Sequence, residues 1–229
     1  MKTIVAAPPA SLGSYYLQTE EQMNYLYYPV AMRECDTGVD FWRGIRLEPR
    51  MEPALQFVYE CWHWAMRNLT LFDPKAYYCY LSMKIGFATT ENPLNRPGWH
   101  IDAWGHPEDH NFVWADEFPT RYITGNLYDV PDDDAGALKA FEVAGRRAED
   151  IDAVHEVQRG SINYFHQTCV HATPIISKPG MRKFLKVSLS PHRYNLSGNS
   201  KNSLLVYDWP MADRQVTRND PVAGNGDFA

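Results

Sequence analysis

The chain has 229 residues and a mass of 26.4 kDa, enough for one domain with a substantial core and too short for two ordinary ones. Hydrophobic residues make up 45% and charged residues 22%, an ordinary globular balance, and no apolar run is long enough to span a membrane. A net charge of −6 and a pI near 5.7 give no general attraction to phosphate backbones, so a small molecule or peptide is expected as partner rather than duplex nucleic acid.

The N-terminal apolar run stops at Pro8-Pro9, too short for an export signal, and Cys35, Cys61, Cys79 and Cys169 show no metal or redox spacing. Both observations predict a cytoplasmic location. The first forty-odd residues hold no strong period, and Tyr15, Tyr16, Tyr25, Tyr27 and Tyr28 are expected to pack on the main domain or border its opening. From Glu52 to Leu69, apolar residues at Leu55, Val58, Trp62, Ala65 and Leu69 have helical spacing, with Pro53 near the start. This predicts one amphipathic helix supporting a sheet.

From Ala76 to Phe87 the period changes to alternation. Tyr78, Tyr80, Ser82 and Lys84 take one face of the predicted strand, and Tyr77, Cys79, Leu81, Met83 and Ile85 the other. A loop from Thr89 to Pro97 leads to His100-Ile101-Asp102, read as strand, which would point both polar side chains the same way. Arg121 to Val130 reads as a further strand closed by Pro131. The run Asp132-Asp133-Asp134 then suits the positive end of a helix over Ala135 to Val143, and Ala144 to Val157 is partly helical. Gly160 to Phe165 reads as a short strand, Ser177-Lys178-Pro179-Gly180 as a turn, and Arg182 to Leu189 as another strand with Arg182, Phe184, Lys186 and Ser188 on one face. Many short strands with one or two helices point to a mainly β, single-domain jelly roll. Residues 1–75 would be helical and loop support, 76–190 the β core and 191–229 a loop-like extension that frays over Val222 to Ala229.

Two imidazoles and one carboxylate can occupy one face of a metal and leave the opposite face open, as in non-heme Fe(II) sites. His100, Asp102 and His171 offer that set, and Arg182 follows His171 by eleven positions. On these residues, with the glycine-led strand before His171 and the Pro-Gly turn before Arg182, the chain resembles the Fe(II)- and 2-oxoglutarate-dependent oxygenase superfamily. The resemblance covers about residues 76 to 190. It implies a double-stranded β-helix, His100, Asp102 and His171 as both catalytic and metal-ligating residues, and Fe(II), 2-oxoglutarate and O2 as cofactor and co-substrates. It further implies oxidation of an unidentified substrate, by default hydroxylation, coupled to formation of succinate; the carboxylate ligand Asp102 argues against the halogenase branch.

Arg182 is the expected anchor for the co-substrate's far carboxylate, since a guanidinium holds a carboxylate through two parallel hydrogen bonds. Phe184 stands where some branches carry Ser, which leaves Lys186 as a rival anchor with Ser188 as helper; Lys84 and Tyr80 are expected at the co-substrate's other end. His171 is preferred to His166 as the distal ligand because of its spacing from Arg182, and His106, Asp109 and His110 read as a polar loop. Trp99, Trp104 and Trp114 suit core or pocket wall better than a stacking platform. Two alternatives stay open: a cupin-like metalloenzyme that does not use 2-oxoglutarate, and a non-catalytic jelly-roll binding module.

Overall fold

A computed structural model describes residues 1–102 and 104–212. In chain order the elements are β1 (Lys2–Ala6), β2 (Ala10–Ser14), β3 (Met23–Ala31), α1 (Glu34–Thr37), α2 (Phe41–Gly44), α3 (Leu55–Asn68), β4 (Tyr78–Ala88), β5 (His110–Ala115), β6 (Arg121–Tyr122), β7 (Gly125–Val130), α4 (Asp134–Asp150), β8 (His155–Glu156), β9 (Ser161–Phe165), β10 (His171–Ala172) and β11 (Gly180–Ser190).

Six strands form a large antiparallel sheet in the order β2-β9-β5-β11-β4-β3, and β10-β6-β8 form a small one. From β4 and β5 in the large sheet the chain passes to β6 and β8 of the small one, then to β9 of the large, β10 of the small and β11 of the large again, so paired strands are widely separated in sequence. That winding makes the fold a jelly-roll double-stranded β-helix in a single domain. The inner faces meet through Val113, Ala115, Phe165 and Phe184 of the large sheet, Tyr122 of the small one and Val157 just past the end of β8. A third pair, β1 with β7, extends beside α4.

The alternation in β4 is borne out, with one difference. Cys79, Leu81, Met83 and Ile85 join Leu185, Val187 and Leu189 of β11 under α3, where Phe57, Val58, Cys61, Trp62 and Ala65 close the core. The opposite, more polar face is buried too, because the small sheet covers one end of it and the C-terminal extension the other. The supporting helix appears as α3, preceded by a 3-10 turn over Pro49–Ala54 that accommodates Pro53 before regular i to i−4 bonding begins.

The strand expected over Arg121 to Val130 is two strands, β6 and β7, which pair with different partners and are separated at Gly125, whose φ is +118°. The acidic run caps a helix as expected: the Asp133 side chain accepts from the Gly136 amide at 2.8 Å. That helix, α4, continues without interruption to Asp150, because Ala137 and Phe141 keep an apolar stripe against the β1/β7 pair. The N-terminal region is richer than its pattern, holding three strands. The extension beyond Pro191 is loop-like through residue 212, and the expected fraying of Val222 to Ala229 lies outside the described residues. Among the described residues no helix is long and apolar enough to cross a membrane.

Candidate metal centre

His100 and His171 face each other as an isolated antiparallel bridge, each amide donating to the other's carbonyl at 2.9 Å. The expected strand at His100-Ile101-Asp102 is therefore a single bridge pair followed by a turn. Among the described residues His100 pairs with His171 alone, and Asp102 lies past the end of the pairing. Helix α4 holds the incoming segment: Glu142 accepts from the Trp99 amide at 3.0 Å, and the Trp99 ring lies so close to Gly145 that a Cβ there would stand 2.2 Å from it. Arg121 stacks on the same ring at 5.2 Å.

Both imidazoles are oriented from behind. His100 Nδ1 lies 3.1 Å from the Gly98 carbonyl and His171 Nδ1 2.9 Å from that of Cys169. A carbonyl can only accept, so each Nδ1 carries a proton, which leaves Nε2 as the ring atom free to face a metal. The two Nε2 atoms turn towards Asp102, 3.9 Å from Oδ1 for His100 and 3.5 Å from Oδ2 for His171. One ligand atom from each of the three groups fits within 4.8 Å of the others. Cis ligands bonded to a divalent ion at about 2.1 Å stand about 3 Å apart, so small side-chain adjustments close this set around a metal. The backing carbonyls are the kind of outer partner that fixes metal-ligating histidines.

A cation lies beside the carboxylate. Lys186 Nζ is 2.9 Å from Asp102 Oδ2 and 3.3 Å from the Tyr27 hydroxyl, which it can reach as a donor. Burial alone would raise the Asp102 carboxyl, but Lys186, and then His171, outweigh it and hold the group well below the usual carboxylate range. Burial, with His171 and Arg96 adding to it, pushes His100 well down, which keeps the ring neutral and suited to ligation. Tyr27 occupies a register irregularity of β3 with φ +46°, a left-handed conformation that costs a bulky residue energy and places its ring against Tyr194.

The three groups line a cavity of about 160 Å³ between the sheets. Lys84, Arg96, Arg182 and Lys186 line it against two carboxylates, Asp102 and Asp134, so this space is locally cationic inside an acidic chain. Arg182 is fully buried on β11 and shares its face with Phe184 and Lys186, the arrangement expected from alternation. Its Nε donates to the Phe118 carbonyl at 3.2 Å, and its Nη1 to the Pro93 carbonyl at 3.0 Å and to Asn95 Oδ1 at 2.7 Å. Burial lowers its pKa to about 10, with Asp116 opposing.

The structure brings together His100, Asp102, His171, Arg182, Lys84 and Lys186 around one space. Ser188 and Tyr80, expected near the co-substrate, lie outside its lining. Ser188 donates to Asn111 Oδ1 at 2.7 Å in the interior, and Tyr80 stacks on Tyr194 and donates to the His192 carbonyl at 2.9 Å. They follow the correct face of their strands but sit too far along it, because the extension covers that end. His166 is exposed, hydrogen-bonded to Thr168, and outside the His100 cluster. His110 faces Tyr164 on the other side of the large sheet, at 3.1 Å. Trp99 and Trp114 are core residues and Trp104 is cavity wall. Arg96 and Asn95 escaped notice because the loop around them has no periodicity; only its place before His100 marks it.

No family model and no curated relative matches the chain. Solved structures with partial likeness include EvdMO1, at 15% identity over 61% of this chain and 32% of that one, TM-score 0.39. EvdO2 from Micromonospora carbonacea var. aurantiaca is 12% identical over 61% of this chain and 64% of that one, TM-score 0.37. SnoN, described as a non-heme alpha-ketoglutarate-dependent epimerase from nogalamycin biosynthesis, is 15% identical over 76% of this chain and 68% of that one, TM-score 0.39. The chain thus spans about a third of the length of EvdMO1 and just under two thirds of EvdO2. The fold assignment stands on the strand order itself.

Proposed function

We propose that the chain is a non-heme Fe(II)- and 2-oxoglutarate-dependent oxygenase that hydroxylates a small-molecule or peptide substrate. The observation that carries this reading is the pair of bridged histidines, proton-bearing at Nδ1 and facing one carboxylate with Nε2, inside a cavity lined by four cations. His100, Asp102 and His171 would hold the metal through two nitrogens and an oxygen, a donor set suited to iron. Bound there, Fe(II) supplies the oxygen-activating chemistry that couples decarboxylation of 2-oxoglutarate to succinate with oxidation of a C–H bond.

The remaining roles fall to the chain's own groups. Lys186 holds Asp102 Oδ2 and fixes the carboxylate's rotation. The excess positive charge favours a dianionic co-substrate over a neutral one, and Arg182 would take its far carboxylate by exchanging one of its present carbonyl partners. Lys84 adds a second positive centre on the neighbouring strand. Trp104, Phe141 and Phe184 line the same space and would limit the water that reaches a bound substrate.

Anaerobic addition of Fe(II) and then 2-oxoglutarate should produce a visible charge-transfer band. The band should be lost in His171→Ala, retained in His166→Ala, and require much more 2-oxoglutarate in Arg182→Ala. No band in the parent protein removes the proposal. The engagement of Arg182 with Pro93, Asn95 and Phe118 favours a second reading, a cupin-like metalloenzyme that does not use 2-oxoglutarate; metal binding unaffected by the keto acid would select it. Succinate formation screened against amino acids, peptides and nucleosides would then identify the substrate class.

A further inference from the structure

A second set of ligating side chains lies at the rim of the cavity, outside the centre described above. His106 and Glu108 belong to the loop that follows Asp102, and His192 stands two residues past the end of β11. Glu108 and His192 are 84 positions apart, yet His192 Nε2 and Glu108 Oε1 are in close contact, and His106 Nδ1 lies 3.6 Å from the same oxygen. One ligand atom from each lies within 4.8 Å of the others, and the two imidazoles meet edge to face at 5.1 Å. We propose that His106, Glu108 and His192 form a second divalent-cation site, of the kind that takes Zn(II) or Cu(II).

The donor set decides the class of ion. Two imidazole nitrogens and one carboxylate suit borderline metals, whereas Ca(II) and Mg(II) require shells of oxygen. The site is also accessible: the three side chains are 51%, 34% and 49% exposed in chain order, so an ion can enter hydrated and complete its shell with water. Its backbone is held in place by groups other than the ligands. The His192 amide donates to Ser190 Oγ at 3.0 Å, its carbonyl accepts from Tyr80, and Asp109, next to Glu108, accepts from the Tyr194 hydroxyl at 2.6 Å. Ion binding therefore orders little that is not already ordered.

Occupancy has a structural consequence. The loop from residue 104 to 109 carries cavity-lining Trp104 and His106, and β11 carries Arg182 and Lys186. A cation shared by His106, Glu108 and His192 cross-links the two and braces the rim of the cavity independently of the ion held by His100, Asp102 and His171.

Zn(II) binding to the full chain should be measured by equilibrium dialysis for the parent protein, for His106→Ala/His192→Ala, and for His100→Ala/His171→Ala, with folding checked by circular dichroism. The parent should bind one equivalent more than His106→Ala/His192→Ala, and Cu(II) bound to His100→Ala/His171→Ala should show nitrogen hyperfine coupling in its electron paramagnetic resonance spectrum. The two surface histidines lie outside the core, so the first comparison stands even if the buried double variant does not fold. Equal stoichiometry in the parent and His106→Ala/His192→Ala overturns the proposal, as does Cu(II) binding to His100→Ala/His171→Ala that survives undiminished when Glu108→Gln is added to it.

Discussion

Replacing Lys186 by Met removes an ammonium from a buried carboxylate while keeping an unbranched stem of similar length. At 2.9 Å the Lys186–Asp102 pair has a Coulomb energy of about 6 kcal/mol at an effective dielectric of about 20. The stability loss is smaller than that, because the stranded carboxyl can take up a proton. From the ordinary aspartate value of 3.8, protonation at about pH 7 costs about 4 kcal/mol, which caps the penalty. Metal-free Lys186→Met should therefore be destabilised by about 3 to 4 kcal/mol, within the range for breaking one side of a buried ion pair. A divalent ion held by His100, Asp102 and His171 supplies a new counter-charge to the same carboxylate. With Zn(II) present the loss should shrink to about 1 kcal/mol, the scale of a packing change alone. Urea denaturation of the parent and Lys186→Met, each with and without Zn(II), measures this as a double difference, in which any cation at the rim site cancels. An equal loss in both conditions would show that Asp102 is not charge-coupled to a bound metal and would refute the reasoning.

Gly145→Ala should destabilise the protein by about 2 to 3 kcal/mol, since the added Cβ meets the Trp99 ring at 2.2 Å and α4 must move away; because Trp99 precedes His100, metal affinity should fall as well, and a variant with the parent's urea midpoint would contradict this packing. Acid should destabilise the fold through His110, whose pKa burial pushes down from 6.5 to about 4, with His166 adding to the effect. Above pH 6.5 the ring is neutral in both states; as pH falls towards 4 the unfolded chain takes up the proton first, and stability declines by about 2 to 3 kcal/mol at most. His110→Asn should flatten that part of the stability profile between pH 6.5 and 4, and an unchanged slope would assign the acid sensitivity elsewhere.

The parts of this molecule legible in its sequence are those where one local pattern settles the outcome. The alternation of β4 separates the α3 face from the cavity face, and Arg182, Phe184 and Lys186 share a face of β11 for the same reason. The Asp133 cap is likewise a local event. What escapes is whatever depends on a distant partner. β2 reads Ala-Ser-Leu-Gly-Ser, with no apolar face, and becomes a strand only because β9 lies beside it. His100 adopts extended pairing because His171 is there, and the turn after it, not a strand, delivers Asp102. Lys186 reads as a rival anchor; nothing in its neighbourhood along the chain announces Asp102 as its partner. The rim cluster is hidden in the same way, since His106 and Glu108 look like a polar loop until His192 arrives from the far side of β11.

The reciprocal bridge between His100 and His171 also sets how this region should behave in hydrogen exchange. Each residue's amide proton is held by the other's carbonyl, and on the far side of His171 the chain continues into the β10/β6 pairing. Opening one bond opens the other, so the two amides should exchange as a pair, slowly for residues flanked by loops. Their shared protection factor would report how often the two ligand-bearing segments separate, without any metal being added.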